Sequence, residues 1–258
     1  RAHDQLLGFT MQATTLIRGK AGRHDWGLLP SADLLASKRL LHVVAGKPDL
    51  GTVVRVYQPG PTVAFSRKEE TMAGFPDAVS EALAFGFEPV IRPAGGRMVA
   101  LDQQWLVLDI VTPEPDRSNS HRDIYESYGD AIIQVLKGFG VDAALGPVPG
   151  EYCPGDYSIN ARGEVKIVGT AQRVTSGARL FSASIPLAIS PSVSEMFNRV
   201  NKILDLDWNP ATLGALAHEA PGVSYADLEH ALVAALVGTP TKECTLADIF
   251  SSQSSLAA

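Results

Sequence analysis

The sequence predicts an α+β fold, a single domain in which a mixed, largely antiparallel sheet is flanked by helices. Strand-like runs come both as tight pairs across Pro/Gly turns and as units separated by helices, so parallel and antiparallel pairing are both expected. No internal repeat and no Pro/Ser/Gly-rich linker divides the 258 residues, and 45% hydrophobic content is enough for one large core.

Residues 1–30 mix charge, Gly and Pro without a sustained period and read as an irregular lead-in. Ser31 then offers an N-cap. In ADLLASKRLLHVV the residues Leu34, Leu35, Leu41 and Val44 share a helical stripe, with Asp33 early and Lys38 and Arg39 later, as the helix dipole favours. Gly46-Lys47-Pro48 ends that helix. The β-branched runs Thr52–Tyr57 and Thr62–Phe65 flank Gln58-Pro59-Gly60-Pro61 and read as two strands with a turn between them.

Residues 75–87 carry Pro76 in the first turn and Val79, Leu83 and Phe87 at intervals of four, which predicts a helix buried on that side. Residues 89–111 read as strand, Pro93-Ala94-Gly95-Gly96 turn, strand, Asp102-Gln103-Gln104 turn, strand. Residues 112–119 are turn-rich. Ser120 and Asp123 then resemble a capping box opening the clearest helix of the chain, with Ile124, Tyr128, Ala131, Ile132, Val135, Leu136 and Phe139 on one apolar face and His121 exposed in the first turn.

Farther on, residues 179–189 read as a strand, and Ser190-Pro191 opens a helix carrying Val193, Met196, Phe197, Val200 and Leu204. Ser224 and Asp227 cap a last helix ending near Gly238, buried through Leu228, Leu232, Ala235 and Leu236. The small, polar stretch 239–258 is expected to be a flexible tail. The domain is thus expected to span 31–238.

A net charge of −6 argues against nucleic acid and anionic membrane as partners, because no basic excess is available to replace phosphate counterions. No apolar run reaches eighteen residues. Two cysteines in unlike surroundings suit a reducing compartment, and the cytoplasm is the expected location. The six histidines include no pair at i, i+3 or i, i+4, and neither cysteine belongs to a CxxC, so no metal site is expected. The phosphate-binding motifs GxxxxGK[ST] and GxGxxG and the hydrolase motif GxSxG are also absent.

A nucleophile and a cation remain. A thiolate attacks acyl groups well when a cation or backbone amides stabilise it, and Pro154-Gly155 after Cys153 forms a turn that can expose sulfur beside free N–H groups. If 157–160 and 164–169 pair as a hairpin across Asn160-Ala161-Arg162-Gly163, Lys166 returns toward the cysteine. There it could lower the thiol pKa, hold a carbonyl oxygen, or stabilise the oxyanion of a thioester exchange. Gly169-Thr170-Ala171 supplies small residues along which a chain-like substrate could lie. The Gly95-Gly96 pair lets backbone approach a ligand, and Arg92 before it could meet an anion.

The segments PVIRPAGGRMVALD (89–102) and EYCPGDYSINARGEVKIVGTAQR (151–173) resemble the biotin/lipoate A/B protein ligase superfamily, with its Arg-x-x-Gly-Gly turn and its lysine strand. The CPGxY element is similar to that of the octanoyltransferases and amidotransferases that carry an acyl group on cysteine. The likeness extends more loosely from Ser31 to about Gly238. It implies an acyl thioester on Cys153, passed to a lysine of a lipoyl-domain or glycine-cleavage H-type protein, from an acyl-carrier or octanoyl-protein donor, without a cofactor. Lys166 would position the acyl carbonyl; Gly95, Gly96, Gly169, Thr170, Ala171, Gln172 and Arg173 would line the acyl tunnel.

In the ATP-using lipoate ligases of the same superfamily, the matching lysine binds the carboxylate and the adenylate phosphate, and Arg92-x-x-Gly95-Gly96 would lie against the nucleotide, with ATP and Mg required. A third possibility is a non-catalytic lipoyl- or acyl-binding module. Two departures from the family pattern bear on the donor site: Phe181-Ser182-Ala183-Ser184 stands where many members carry His-His-Gly-(Ser/Thr), and Arg97 stands where a third Gly or a small residue is frequent.

Overall fold

The computed structural model describes residues 13–19, 29–114 and 120–251. In chain order these form β1 (Thr14–Arg18), α1 (Ser31–Gly46), β2 (Thr52–Tyr57), β3 (Thr62–Phe65), α2 (Phe75–Ala84), β4 (Glu88–Ile91), β5 (Val99–Leu101), β6 (Trp105–Glu114) and α3 (His121–Gly138). Then come β7 (Ala143–Leu145), β8 (Ile159–Ala161), β9 (Val165–Val174), β10 (Gly177–Pro186), α4 (Pro191–Ile203), α5 (Leu216–Glu219), α6 (Tyr225–Leu236), β11 (Lys242–Cys244) and α7 (Leu246–Ser251). The eight-stranded sheet runs β11-β1-β2-β6-β10-β9-β8-β7, and a three-stranded sheet runs β4-β3-β5. In the large sheet only β1 pairs in parallel, with β11 and with β2; every other pairing is antiparallel. The mixed α+β architecture expected from the sequence is the one observed.

Strand β6 explains the layering. Its side chains alternate between faces, and both faces are buried. Leu106, Leu108 and Ile110 join Phe181, Ala183 and Ile185 of β10 against Ile132 and Leu136 of α3 and Leu228 and Leu232 of α6. Trp105 and Val107 look the other way, into a core shared with the small sheet, α2 and α4. Val111 lies on that second face too, under Leu40, Leu41 and Val44 of α1. Functional residues on β9 and β10 therefore sit on the covered side, beneath the small sheet.

Five expectations are corrected. The lead-in contains β1, an interior strand with Leu16 and Ile17 fully buried; the run Thr14-Thr15-Leu16-Ile17 is the signal. The tail contains β11 and α7, the latter burying Leu246, Ile249 and Phe250 behind a Thr245–Asp248 cap. Helix α1 is preceded by Pro30 rather than capped by Ser31, and Leu35 is 44% exposed, because the buried stripe includes Asp33 and Ser37 instead. In α2 it is Ala78 and Ala82 that are buried while Leu83 is 55% exposed; small residues let the helix lie close to its neighbours. Finally, β2 and β3 do not pair with each other but enter different sheets. The expectations for residues 1–12, 20–28, 115–119 and 252–258 lie outside the described residues.

Candidate active site

Three segments converge under the small sheet: the turn from β4 to β5, the loop from β7 to β8 that carries Cys153, and β9 with Lys166. The first turn is held by Glu69, a buried carboxylate placed just after β3. Its Oε1 accepts the Met98 N–H at 2.7 Å, and its Oε2 accepts the Ser66 N–H at 2.8 Å and Oγ–H at 3.0 Å. This clamp aims the preceding amide, Arg97 N–H, at Cys153 Sγ, 3.1 Å away. Gly96 adopts φ +107°, and a Cβ there would lie 2.5 Å from Arg92 Nη2 and 2.9 Å from Cys153 Sγ, so only glycine fits between guanidinium and sulfur. Arg92 donates through Nη2 to the Arg97 carbonyl, while its Nε is buried without a partner.

Lys166 sits where the expected hairpin puts it: β8 and β9 pair with Asn160 opposite Lys166. Its Nζ donates to Glu151 Oε1 at 2.9 Å and to the Cys153 carbonyl at 2.7 Å, and it lies 4.5 Å from the centroid of the Tyr152 ring. Burying a cation demands a counter-charge with its own hydrogen bonds satisfied. Glu151 provides this, accepting also from Ser158 Oγ at 2.6 Å and from the Val148 N–H at 2.8 Å. Of three ammonium donors two are engaged by these partners. Burial, then the neighbouring Cys153 and Glu151, holds the Tyr152 phenol well above its ordinary range.

Around these groups lies a cavity of about 300 Å³ whose lining includes Arg92, Gly95, Gly96, Cys153, Lys166, Gly169, Thr170, Ala171 and Gln172. Among the described residues no histidine lines it. A Cβ at Gly169 would come within 3.1 Å of Tyr152 Oη and 3.2 Å of Ser184 Oγ, so the glycine keeps this floor open. Thr170 Oγ1 donates to the Tyr157 carbonyl at 2.8 Å and ties the cysteine loop to β9. The Tyr157 ring stacks on Tyr125 with centroids 4.4 Å apart.

Gln172 reaches the cavity wall, yet both ends of its amide serve the fold: Oε1 accepts from Arg179 Nη1 at 2.6 Å, and Nε2 donates to the His121 carbonyl at 2.8 Å. Arg173 lies outside this chamber. It lines an outer one of about 420 Å³ with Arg67, Lys68, Arg97 and Cys153, so the sulfur stands between a basic vestibule and the inner cavity.

The amide found on sulfur belongs to Arg97, not to the Pro154-Gly155 turn expected to supply it. Arg97 is tolerated in the turn because its side chain leaves the site, donating to the Asp207 carbonyl at 2.9 Å. In the segment that replaces the His-rich run, Ser182 and Ser184 line the cavity while Phe181 and Ala183 are buried on the far face. Sequence reasoning missed Glu151 and Glu69, and it missed Asp109, a lone acid inside the apolar run of β6. Among the described residues no group of three or more His, Cys, Asp or Glu could hold a metal ion. None of the described helices is long and apolar enough to cross a membrane.

The chain is thus a two-sheet α+β domain with a buried lysine strand beneath an Arg-x-x-Gly-Gly turn. Residues 32–236 match the lipoyl protein ligase A/B catalytic domain, and the chain belongs to that family. One relative is the octanoyl-[GcvH]:protein N-octanoyltransferase of Geobacillus kaustophilus, 29% identical over 135 residues, covering 52% of this chain and 47% of that one. The chain spans about half the length of the curated relatives it matches. Among solved structures, a lipoate-protein ligase A bound with ATP is similar at TM-score 0.66 and 17% identity, covering 94% of both chains. A bi-partite lipoate protein ligase from Thermoplasma acidophilum is similar at TM-score 0.63 and 16% identity, covering 94% of this chain and 92% of that one.

Proposed function

We propose that this chain is an acyltransferase that carries an octanoyl or lipoyl group as a thioester on Cys153. It delivers that group to the ε-amine of a lysine on a lipoyl-domain or glycine-cleavage H-type protein. The observation that carries this reading is the placement of Cys153 Sγ at the junction of two chambers, with the Arg97 N–H on the sulfur and the Lys166 ammonium on the same residue's carbonyl. An amide aimed at sulfur solvates negative charge there.

In the first half-reaction the Cys153 thiolate attacks the donor carbonyl, and a C–S bond forms as the carbonyl oxygen gains charge. Arg92, which lines the cavity, and the remaining Lys166 donor are the cationic groups facing that oxygen. Collapse expels the donor's thiolate from an acyl-carrier donor, or its amine from an octanoyl-protein donor once the leaving nitrogen has taken a proton from solvent. In the second, the acceptor lysine attacks the thioester carbonyl, an amide forms, the amine proton is lost and the sulfur leaves as thiolate. No nucleotide or metal is needed. Gly95, Gly96 and Gly169 to Ala171 line the path of the acyl group, Gln172 holds that wall, and Arg173 faces the incoming protein. A cytoplasmic setting suits a mechanism that requires a free thiol.

The test offers each set of reactants separately. With an octanoyl thioester donor and a lipoyl-domain acceptor, transfer is expected in the native protein and lost in Cys153→Ala. Activity from free lipoate and Mg-ATP that survives Cys153→Ala would instead make the chain an ATP-dependent ligase working through Lys166. Ligand retention without turnover under either condition would make it a binding module.

A further inference from the structure

Beyond the reaction chamber lies a smaller one of about 60 Å³ that shares Arg92, Val99, Ala171, Ser182 and Ser184 with it. Its walls are apolar, from Leu34, Leu101, Val107 and Leu180, but its lining also holds Asp109 and Ser37. Asp109 is 1% exposed. Its Oδ1 accepts from Ser182 Oγ at 2.6 Å and its Oδ2 from Ser37 Oγ. The neighbouring Arg55 guanidinium bonds the Asp33 carbonyl at 2.6 Å and the Asp33 carboxylate at 2.8 Å. A carboxyl so placed has no catalytic partner in the reaction above.

Strand register measures how far this carboxyl lies across the sheet from the cavity-lining strand β9. Ala171 of β9 pairs with Ser182 of β10, which pairs with Asp109 of β6. Gly169, beside the Lys166 side chain, starts the adjacent row through Ser184 and Val107. From the lysine strand to Asp109 is thus two strand spacings, about 10 Å. An extended alkyl chain advances about 1.25 Å per carbon, from a 1.5 Å bond and a near-tetrahedral angle. An alkyl chain crossing from β9 to Asp109 therefore uses about eight carbons on that part of its path, and any between Cys153 and β9 add to them.

We infer that Asp109, held by Ser37 and Ser182, is the floor of the acyl tunnel and the residue that sets the length of acyl chain accepted. This rests on the reading that the tunnel holds an acyl group. A chain that reaches Asp109 ends in contact with it. A longer one must displace a carboxyl whose two oxygens are already bonded, leaving buried polar groups unpaired. Burial also pushes the Asp109 carboxyl above its ordinary range, against the opposing pull of the two serines and Arg55. This agrees with a group that meets alkyl rather than water.

The experiment has two arms, each run on native protein, Asp109→Ala, Asp109→Asn and Ser182→Ala. In the first, pantetheine thioesters of six to twelve carbons compete for Cys153, and the adducts are weighed by intact mass. In the second, free fatty acids of the same lengths are scored for thermal stabilisation of each protein carrying Cys153→Ser, which needs no thioester chemistry. Native protein is expected to favour eight carbons over twelve by at least about tenfold. Asp109→Ala and Ser182→Ala should bring that ratio toward one, and Asp109→Asn, which keeps the polar volume, should preserve it. If Asp109→Ala does not fold, Ser182→Ala carries the comparison. An unchanged length profile in the second arm overturns the inference. An altered profile there with no adduct in the first arm would retire the cysteine mechanism and leave the floor standing.

Discussion

The Nζ of Lys166 lies 2.9 Å from Oε1 of Glu151, and both side chains are closed off from solvent. The pair is tied to the nucleophile through the Cys153 carbonyl, so the charge that serves the acyl group also fixes the backbone that carries the sulfur.

Removing one half of this pair strands the other. Glu151→Ala should lose about 3–5 kcal/mol of stability, read from urea unfolding, because a buried ammonium is left without its counter-charge. The double variant Glu151→Gln, Lys166→Met should regain most of that stability and no transfer activity. Recovered activity in the double variant would show that Lys166 is structural only.

Gly95 and Gly96 are adjacent but not equivalent. A Cβ at Gly95 meets nothing within 4 Å, whereas one at Gly96 meets Arg92 and Cys153 at a positive φ. Gly96→Ala should cost about 1–3 kcal/mol in strain and, by displacing the sulfur, about 100-fold in transfer rate. Gly95→Ala should change stability by less than about 0.5 kcal/mol. Thermal melts and alkylation of Cys153 by iodoacetamide check both.

Glu69 touches nothing that reacts, but it latches the turn that presents the Arg97 amide. Glu69→Ala should lower transfer at least about tenfold and slow Cys153 alkylation in parallel, with substrate KM little altered. A drop in stability with unchanged alkylation would assign Glu69 to packing alone.

The Asp109 carboxyl titrates above its ordinary value, with burial as the main cause. The folded protein therefore keeps this proton at pH values where the unfolded chain has lost it. Its contribution to stability is complete below the unfolded value of about 3.9 and is lost as pH rises through the folded value. Asp109→Asn has no such dependence. Its Tm relative to native protein should rise between about pH 4 and pH 7, and a flat difference would contradict the raised value.

Much of the fold was legible because long amphipathic helices and β-branched strands carry their own periodicity. Helices α3 and α4 and strands β2 and β3 begin and end within a residue or two of their sequence signals. What escaped was short or decided by distant partners. The five residues of β1 carry a short β-branched signal in Thr14-Thr15-Leu16-Ile17, too brief to stand out in the lead-in, and the three of β11 form a strand only because they pair with β1, which in turn pairs with β2. Leu83 fits the helical stripe of α2, but the neighbouring elements leave room only for Ala78 and Ala82.

The site divided in the same way. Cys153, Lys166 and the glycine turn stood out by residue type and spacing. Glu69 acts on the Met98 amide and Glu151 on the Lys166 ammonium, both across loops, and no spacing announces those contacts. Asp109 passed unnoticed as a lone acid within an apolar strand, and only the cross-strand register places it beneath the lysine strand's cavity.

The central claim is that Cys153 becomes acylated. It is tested most directly by incubating the full chain with an octanoyl thioester donor and weighing it intact, before and after hydroxylamine. A single octanoyl adduct that hydroxylamine removes, that Cys153→Ser abolishes and that an acceptor lipoyl domain discharges is the expected result. A native protein that transfers octanoyl to the acceptor while never carrying it on Cys153 would contradict the account.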